Sequence, residues 1–473
     1  MVFADKLGNN KENNGEVTEW PKVYDWKSYV PQKGTAGSNP ALSATQRVSP
    51  REILLRGCHK TRRDQAEIFM NKRKYVILIG DGMGDYPQAE LDGKSVLQSA
   101  AIPNIRAIAA AGEVRLVTTV PKGMPAGSDV ANLSIMGFDP AKYYTGRAPI
   151  EAAGAGINLH PDDVAFRCNL ITVENGLIVD HSSGHISTPE ARSLVELVEK
   201  RLGGEGKHFF TGTSYRHLLV WRNGPHDGLV TTPPHDVLGQ PAERHLPRGA
   251  RADEILRLME ESKKIFSGHA VNEARRSAGK NTASQIWLWG QGRSVSLPSY
   301  RELFGLTGGV VTAVDLVRGI GRLAGLAAKP VPGATGFIDT DYAAKVKAAL
   351  EILENNDFVF VHVEAPDECS HNGNLRLKLK AIEDFDRQIV GPIWKALNER
   401  GWPYRLIIGT DHRTPVNIRN HTAEPVPMAV LNGPVVPSKE NVGRFDEFIN
   451  DGQSMGMAYE WLQILLKEEA GSA

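Results

Sequence analysis

The sequence predicts an α/β fold in which a doubly wound, mostly parallel sheet carries an inserted α+β lid domain. Three largely apolar segments run into acidic residues, as expected of strands buried on both faces of a parallel sheet. These segments are 75–79, 357–363 and 404–410. Apolar residues recur at helical spacing over 341–355 and 374–400, which predicts helices between the strands. Residues 151–298 have instead the short alternating runs of an α+β domain.

Residues 1–69 differ from the rest of the chain, being rich in Asn, Lys, Gly and Ser without a sustained hydrophobic period. Two interpretations stay open. The segment is a disordered leader, or it precedes a true translation start at Met70. The run at 37–40 is compatible with codons that match the T-arm consensus of a transfer-RNA gene, which is the basis of the second interpretation.

The α/β domain is predicted to begin with residues 70–150. Its first strand ends at Asp81, and the carboxyl ends of strands are where open α/β sheets place ligands. Further along, Gly127 precedes Ser128 at the start of a predicted helix, whose N-terminus favours anions. A metal ion that lowers the pKa of the hydroxyl would make Ser128 a nucleophile. The simpler interpretation is that Ser128 caps the helix.

Residues 151–298 are predicted to form the inserted substrate-binding lid. Short alternating strands are expected at 164–172, 177–180 and 217–222, and one long helix at 252–267. The pattern of long buried strands and helices returns after residue 298. The α/β domain is therefore expected to be discontinuous, comprising 70–150 and 299–473.

Acidic residues and histidines follow each of the three buried strands. They are Asp81, Asp367, His371, Asp411, His412 and His421. Carboxylates mixed with imidazoles suit Mn²⁺, Zn²⁺ or Co²⁺ better than Ca²⁺. Taken singly, Asp367 and His371 could be an exposed helical pair, and Asp81 could be a turn former. Because strand ends of one sheet share one crevice, the set together predicts a dinuclear metal site.

The composition excludes several classes of function. The 473 residues include 55 Lys plus Arg and 55 Asp plus Glu, so a broad basic surface for nucleic acid or anionic membranes is not expected. No window approaches the roughly 18 to 20 apolar residues that cross a bilayer. Three cysteines form neither a disulfide framework nor a CxxC motif, which predicts a cytoplasmic location.

The strand-end segments closely resemble the cofactor-independent (2,3-bisphosphoglycerate-independent) phosphoglycerate mutases, and most of all their archaeal-type branch within the alkaline phosphatase superfamily. The segments that carry the resemblance are Ile79–Asp85, Gly127–Asp129, Ala365–Asp367 with His371, Thr410–His412 and His421-Thr422. The similarity extends over residues 73–465 and does not include the leader. It implies an alkaline-phosphatase-like fold and an isomerase that interconverts 3-phosphoglycerate and 2-phosphoglycerate in glycolysis and gluconeogenesis.

The resemblance also implies how the site works. One divalent metal would be held by Asp81, Ser128, Asp411 and His412, and a second by Asp367, His371 and His421. Ser128 would form a phosphoserine intermediate without 2,3-bisphosphoglycerate. Mn²⁺ is the expected ion, with Mg²⁺, Co²⁺ and Zn²⁺ as alternatives. The expected partner is a small phosphorylated substrate, with neither nucleic acid nor membrane, and the oligomeric state stays open.

Substrate-binding residues are expected by the same resemblance, because a carboxylate and a phosphate need cations outside the metal site. The candidates are Arg147, His181, Arg216, Arg275 and Arg318. Three positions depart from the family pattern. Asn132 stands where relatives commonly have His, Arg413 where a small residue is frequent, and Arg318 where lysine is expected.

Two other functions remain in competition with the mutase. The same metals and Ser128 could serve a phosphohydrolase, or a phosphotransferase acting on another small metabolite such as homoserine. The fold could also have become a non-catalytic binding module, although the complete ligand set argues against this. The departures leave the predicted metal site intact and bear only on the phosphoryl acceptor.

Overall fold

The computed structural model describes residues 72–204, 206–435 and 442–467. The predicted leader, residues 1–69, and the predicted start at Met70 lie outside these residues. The strands, in chain order, are β1 (Lys74–Gly80), β2 (Glu113–Val117), β3 (Asp163–Glu174), β4 (Leu177–Asp180), β5 (Lys207–Phe210), β6 (Arg216–Arg222), β7 (Leu229–Val230), β8 (Arg248–Gly249), β9 (Gln285–Arg293), β10 (Gly308–Val311), β11 (Phe358–Val363), β12 (Tyr404–Gly409) and β13 (Val426–Gly433).

The largest sheet has six strands in the order β10-β11-β1-β12-β13-β2. The four neighbours β10, β11, β1 and β12 are parallel, whereas β13 is antiparallel to both β12 and β2. The predicted α/β class with a mostly parallel sheet is confirmed. The antiparallel pair at one edge was not predicted, because β13 follows a polar loop and has no matching helical crossover before it.

The central strand β1 shows why the sheet is covered on both faces. Val76 and Leu78 belong to one hydrophobic core, while Ile77 and Ile79 belong to another on the opposite face. Successive side chains of a strand alternate between faces, so a continuous apolar run requires a layer of helices on each side. The two cores therefore follow from the alternation of side chains along this one segment.

The helices, in chain order, are α1 (Val96–Ser99), α2 (Pro103–Ala111), α3 (Ser128–Ile135), α4 (Pro140–Tyr143), α5 (Arg147–Gly154), α6 (Thr188–Leu202), α7 (Ala252–Phe266), α8 (Ala270–Ser277), α9 (Tyr300–Phe304), α10 (Asp315–Leu323), α11 (Tyr342–Asn355), α12 (Ala365–His371), α13 (Leu375–Phe385), α14 (Gly391–Glu399) and α15 (Ala458–Lys467). Within the described residues, none of these helices is long and apolar enough to cross a membrane.

A smaller antiparallel sheet is formed between residues 163 and 293. Its order is β4-β3-β6-β5, with β9 paired to β3. Helices α6 and α7 share a hydrophobic core with it. The predicted strands at 164–172, 177–180 and 217–222 and the helix at 252–267 correspond to elements whose ends differ by at most two residues. The predicted domain boundary at residue 151 falls inside α5, so this boundary stays a prediction.

The long helix predicted over 374–400 is interrupted in the structure. Helix α13 passes through a π-helical turn at Asp386–Val390 before α14 begins. Pro392 has no N–H for the regular helical pattern, which gives a physical reason for the local rearrangement. The turn also places Asp386, whose carboxylate accepts the backbone N–H of Ile105 at 2.7 Å and so fixes the start of α2.

Candidate functional site

The carboxyl ends of β1, β11 and β12 bring three aspartates into one cluster. Asp81 follows β1 directly, Asp367 lies in α12 after β11, and Asp411 follows β12. All three side chains are buried. The register of the parallel strands sets the three ends side by side, so residues separated by more than 300 positions meet at one edge of the sheet.

The second metal group is defined here as Asp367, His371 and His421. His371 Nε2 lies 3.1 Å from Asp367 Oδ2 and 3.0 Å from His421 Nε2, while His421 Nε2 lies 3.5 Å from Asp367 Oδ1. His371 Nδ1 donates to the carbonyl oxygen of Arg419 at 2.9 Å, which leaves Nε2 as the atom that faces the cluster. These three side chains could together hold one ion.

The first metal group is defined here as Asp81, Ser128, Asp411 and His412. His412 Nε2 lies 3.4 Å from Asp81 Oδ1, 3.6 Å from Asp411 Oδ2 and 3.1 Å from Ser128 Oγ. Asp81 Oδ1 is buried and has no hydrogen-bond partner among the described residues. An unpaired buried carboxylate oxygen is costly, so the group has the donor that a cation would satisfy.

The electrostatics of the two groups differ. Burial, with the charges of Asp411 and Asp367, raises the pKa of Asp81 well above its ordinary value. Burial acts in the same direction on Asp367, but His371 and His421 outweigh it and hold the pKa of that carboxyl well below its usual range. Burial lowers the pKa of His412 to about 4, which keeps its imidazole neutral near pH 7. A divalent cation would relieve the repulsion at Asp81.

Ser128 is the first residue of α3, and Gly127 is the residue at the N-cap. Gly127 makes no side-chain cap, and the Ser128 hydroxyl is directed at His412 Nε2, so the interpretation of Ser128 as a helix cap is wrong. Tyr144 donates to the carboxylate of Asp129 at 2.6 Å, which steadies this end of the helix. The structure therefore brings all seven predicted metal ligands into one cluster.

Some residues of the cluster were not identified from the sequence. Thr414 Oγ1 contacts both metal groups, at 2.6 Å from Asp367 Oδ1 and 3.1 Å from His412 Nδ1. His362 is fully buried in β11, with Nε2 at 3.5 Å from Asp81 Oδ2 and Nδ1 at 3.3 Å from Glu364 Oε1. His362 could have been found from the sequence, because it is a histidine inside an otherwise apolar strand. Thr414 could not, because a threonine two residues after a histidine is not an unusual pattern.

Two of the departures from the family pattern can now be placed. Asn132 Nδ2 donates to Asp411 Oδ2 and to the carbonyl oxygen of Ser128, both at 2.9 Å. Arg413 donates from Nε and Nη2 to the carbonyl oxygen of Pro425, at 3.1 and 2.8 Å. Asn132 therefore contacts the candidate metal ligand Asp411, whereas the Arg413 guanidinium holds the neighbouring loop at Pro425.

A group of arginines faces two carboxylates beside the metal groups. This arginine cluster is defined as Arg147, Arg167, Arg216 and Arg318. Arg147 Nε donates to Glu151 Oε1 at 2.8 Å, and Arg167 contacts the same oxygen. Arg318 pairs with Asp315. The charge of Arg216 acts on the carboxylates of Glu151 and Asp315. Arg167 is a further candidate cation that was not identified from the sequence.

The remaining substrate-binding candidates behave differently. His181 is half-buried, with its ring 5.4 Å from that of Tyr215. Arg275 is buried, and its hydrogen-bond partners are not those of the arginine cluster. Its guanidinium donates to Glu190, to the carbonyl oxygens of Ser183 and Gly184, and to that of Asn281. Every nitrogen of Arg275 is thus engaged within the smaller sheet's domain, so the structure does not support this residue as a substrate ligand.

The segment around residue 235 reaches the metal groups. Burial, together with the charge of Arg147, lowers the pKa of His235 well below its ordinary value. Burial raises the pKa of Asp236, while His421 and His371 oppose this shift. The ring of His235 lies 5.2 Å from that of Trp289 in β9. The segment around residue 235 therefore packs on β9 and lies within electrostatic range of the second metal group.

Comparisons with known proteins agree on one family. The family model described as 2,3-bisphosphoglycerate-independent phosphoglycerate mutase matches residues 109–272. The chain is 48% identical over 396 residues to the enzyme of that name from Methanosarcina barkeri, which covers 83% of this chain and 99% of the relative. It is also 48% identical over 393 residues to a probable enzyme of that name from Geobacter sulfurreducens, covering 82% and 97%.

Solved structures give the same result for the fold. A protein from Pyrococcus horikoshii superposes with a TM-score of 0.69 at 30% identity, covering 85% of this chain and 99% of that one. The cofactor-independent phosphoglycerate mutase from Thermoplasma acidophilum superposes with a TM-score of 0.54 at 25% identity, covering 84% and 100%.

Proposed function

The chain belongs to the family of 2,3-bisphosphoglycerate-independent phosphoglycerate mutases, an isomerase family, and from this we propose that it interconverts 3-phosphoglycerate and 2-phosphoglycerate through a phosphoserine on Ser128. The observation that carries the proposal is the position of Ser128. Its Oγ lies at the N-terminus of α3 and 3.1 Å from His412 Nε2, inside a cluster of buried carboxylates and imidazoles.

The two metal groups fit two divalent ions. Asp81 Oδ1, which has no hydrogen-bond partner among the described residues, supports one ion at the first group, and the converging Nε2 atoms of His371 and His421 support another at the second. Mixed oxygen and nitrogen donors favour Mn²⁺, with Mg²⁺, Co²⁺ and Zn²⁺ as alternatives. When bound, such ions activate a serine oxygen and neutralise charge on the phosphoryl group in transfer.

The residues of the chain then divide the work of the reaction. Ser128 Oγ attacks phosphorus, the bond from phosphorus to the 3-oxygen of glycerate breaks, and the proton from Ser128 ends on that oxygen. After glycerate shifts, its 2-hydroxyl attacks the phosphoserine, the bond to Oγ breaks, and Oγ regains a proton. The N-terminal dipole of α3 favours the negative charge of the phosphoryl group throughout.

Binding of the substrate anions is assigned to the arginine cluster together with His181. Guanidinium groups can hold a carboxylate or a phosphate through two parallel hydrogen bonds. Glu151 and Asp315 occupy Arg147, Arg167 and Arg318 in this structure, so substrate would enter by exchanging one anion for another.

Residues 151–298 would act as a lid, with residues 70–150 and 299–473 as its base. The segment with His235 and Asp236 supports this role, because the charges of His371 and His421 act on the Asp236 carboxyl. A closed lid keeps glycerate in the site and excludes water from the phosphoserine. A cytoplasmic location is the setting we propose, since Cys168 and Cys369, the cysteines of the described residues, are both free thiols.

An enolase-coupled assay run beside a phosphate-release assay tests the proposal. We expect phosphoglycerate turnover with added Mn²⁺ and little release of phosphate. Steady phosphate release, or transfer to another acceptor such as homoserine, without turnover of phosphoglycerate would instead identify a phosphohydrolase or a phosphotransferase. Absence of every one of these activities, with metal bound, would favour a non-catalytic binding module.

A further inference from the structure

Thr414 lies between the two metal groups and touches a ligand of each. Its side chain is fully buried, and Oγ1 is 2.6 Å from Asp367 Oδ1 and 3.1 Å from His412 Nδ1. An ionised carboxylate only accepts hydrogen bonds, so the hydroxyl gives its single hydrogen to Asp367. The same oxygen must then accept the hydrogen of His412 Nδ1. This leaves the lone pair of His412 Nε2 directed at the first metal group.

The backbone of Thr414 is held by a buried lysine of α13. Lys378 Nζ donates to the carbonyl oxygen of Thr414 at 2.8 Å, to that of Gly84 at 2.9 Å and to Asp85 Oδ2 at 2.9 Å. The N–H of Thr414 donates to the carbonyl oxygen of Gly84 at 3.1 Å. Because neither Lys378 nor Asp85 has an exposed side chain, these bonds fix Thr414 against the loop that follows β1.

Gly82 covers the hydrogen bond between Thr414 and Asp367. A Cβ built at Gly82 would lie 2.5 Å from both Thr414 Oγ1 and Asp367 Oδ1, and the backbone there has a φ of +60°. Only glycine therefore fits over these two atoms. The N–H of Gly82 donates to Asp411 Oδ1 at 3.0 Å, so this residue also contacts the first metal group.

We infer that Thr414 is a positioning residue that couples the two metal groups, orienting Asp367 of the second and selecting the tautomer of His412 in the first. The inference rests on the proposed function, because it assigns a partner to ligands of the proposed ions. Groups that orient metal ligands through hydrogen bonds commonly contribute about 10- to 100-fold to metal affinity. A single hydroxyl here would act on both ions at once.

Isothermal titration of metal-free full-length protein with Mn²⁺ tests this role. In Thr414→Val we expect the affinity of both groups to fall by about 10- to 100-fold, since the isosteric side chain neither donates to Asp367 nor accepts from His412. Thr414→Ser keeps the hydroxyl and should restore most of the affinity. The ¹⁵N NMR signature of the His412 ring should show loss of the Nδ1–H tautomer in Thr414→Val but not in Thr414→Ser.

Thr172→Val is the matched control, because Thr172 is also buried, lies in β3 of the smaller sheet and donates from its hydroxyl to the carbonyl oxygen of Thr282 at 2.8 Å. We expect this variant to bind Mn²⁺ like the wild type. If Thr414→Val does not fold, as judged by circular dichroism of the metal-free protein, Thr414→Ala carries the same test with a smaller side chain.

Two results would overturn the inference. One is wild-type affinity at both groups and an unchanged His412 signature in a folded Thr414→Val or Thr414→Ala. The other is an equal loss of affinity in Thr172→Val, which would mark a general effect of removing a buried hydroxyl. If the wild-type protein binds no Mn²⁺, Mg²⁺, Co²⁺ or Zn²⁺, the proposed function itself is contradicted. This failure is distinguishable from failure of the Thr414 inference because it is seen without any variant.

Discussion

The metal groups and the arginine cluster, although neighbours, are organised in opposite ways. Ligands of the metal groups are held on their outer side, as the Arg419 carbonyl holds His371 and the Gly82 N–H holds Asp411 through Oδ1, and their inner atoms are left to face one another. In the arginine cluster the inner atoms are already engaged. Arg147 and Arg167 share Glu151, and Arg318 contacts Asp315.

This difference shows where each part of the site obtains its specificity. Donors fixed in place need no rearrangement to bind an ion, so the cost of ordering them is met during folding. Guanidinium groups paired with internal carboxylates must exchange partners when a substrate anion arrives. If the arginine cluster binds substrate as proposed, it would discriminate by how well the substrate replaces Glu151 and Asp315, whereas the metal groups would select an ion by the geometry of fixed donors.

The largest effect is expected from Ser128→Ala. Removing the nucleophile should lower mutase turnover by more than about 10⁴-fold, because substitutions of a group that forms the covalent intermediate are the most damaging. Phosphoenzyme formation is measured by mass spectrometry after incubation with phosphoglycerate, with Mn²⁺ affinity as a check that the remaining ligands persist. A phosphorylated intermediate on this variant would mean that another residue is the nucleophile.

Removal of metal is expected to have the next largest effect. Dialysis against a chelator should reduce turnover by more than about 10³-fold, since charge on the phosphoryl group would no longer be neutralised. Adding Mn²⁺ back should restore activity, and the dependence on Mn²⁺ concentration should show two sites. Full activity of protein shown by elemental analysis to be free of metal would refute the dinuclear assignment and would place the catalytic charge in the arginine cluster instead.

The same contrast explains what could be predicted from the sequence. Buried strands such as β1 can be recognised by their apolar composition, and acidic residues follow the end of each one. The main sheet and the candidate ligands Asp81, Asp367 and Asp411 could therefore be predicted from the sequence. The π turn within α13–α14 was not, because a proline inside a helical pattern does not indicate how the backbone accommodates it. Antiparallel β13 was also missed, since polar residues precede it.

Arginines carry no comparable signal. Arg167 and Arg275 are both buried, the first in the apolar strand β3 and the second in the polar helix α8, yet one joins the arginine cluster and the other binds carbonyl oxygens around Ser183. Which anion faces a guanidinium is decided by tertiary contacts between segments far apart in the chain. Thr414 and Lys378 were missed for the same reason, because the Thr414 hydroxyl acts through Asp367 and His412, and Lys378 acts through backbone carbonyls of distant segments.

Two Arg→Lys substitutions test whether Arg167 belongs to the substrate site while Arg275 has only a structural role. Arg167→Lys should raise KM for phosphoglycerate by about 10-fold with a smaller change in kcat, because lysine keeps the charge but loses the bidentate geometry. Arg275→Lys is the matched control, since its partners are Glu190 and main-chain carbonyls. This variant should lower the melting temperature and leave KM unchanged. A raised KM in Arg275→Lys alone would return that residue to the substrate site.

The smallest effect is expected at Arg413, although it directly follows the ligand His412. Its guanidinium donates to the carbonyl oxygen of Pro425, and its aliphatic part packs against Gly84, whereas its backbone pairs with Thr422.

Because these contacts do not involve a metal ligand, Arg413→Ala should change kcat/KM by less than about threefold, as substitutions outside a reacting site usually do. Steady-state kinetics with the coupled assay measure this, with Asn132→Ala as the comparison. Asn132 donates to Asp411 Oδ2, so its loss should weaken Mn²⁺ binding. A large loss of activity in Arg413→Ala with unchanged Mn²⁺ affinity would show that this departure from the family pattern acts on the phosphoryl acceptor, and would extend the arginine cluster across the metal groups.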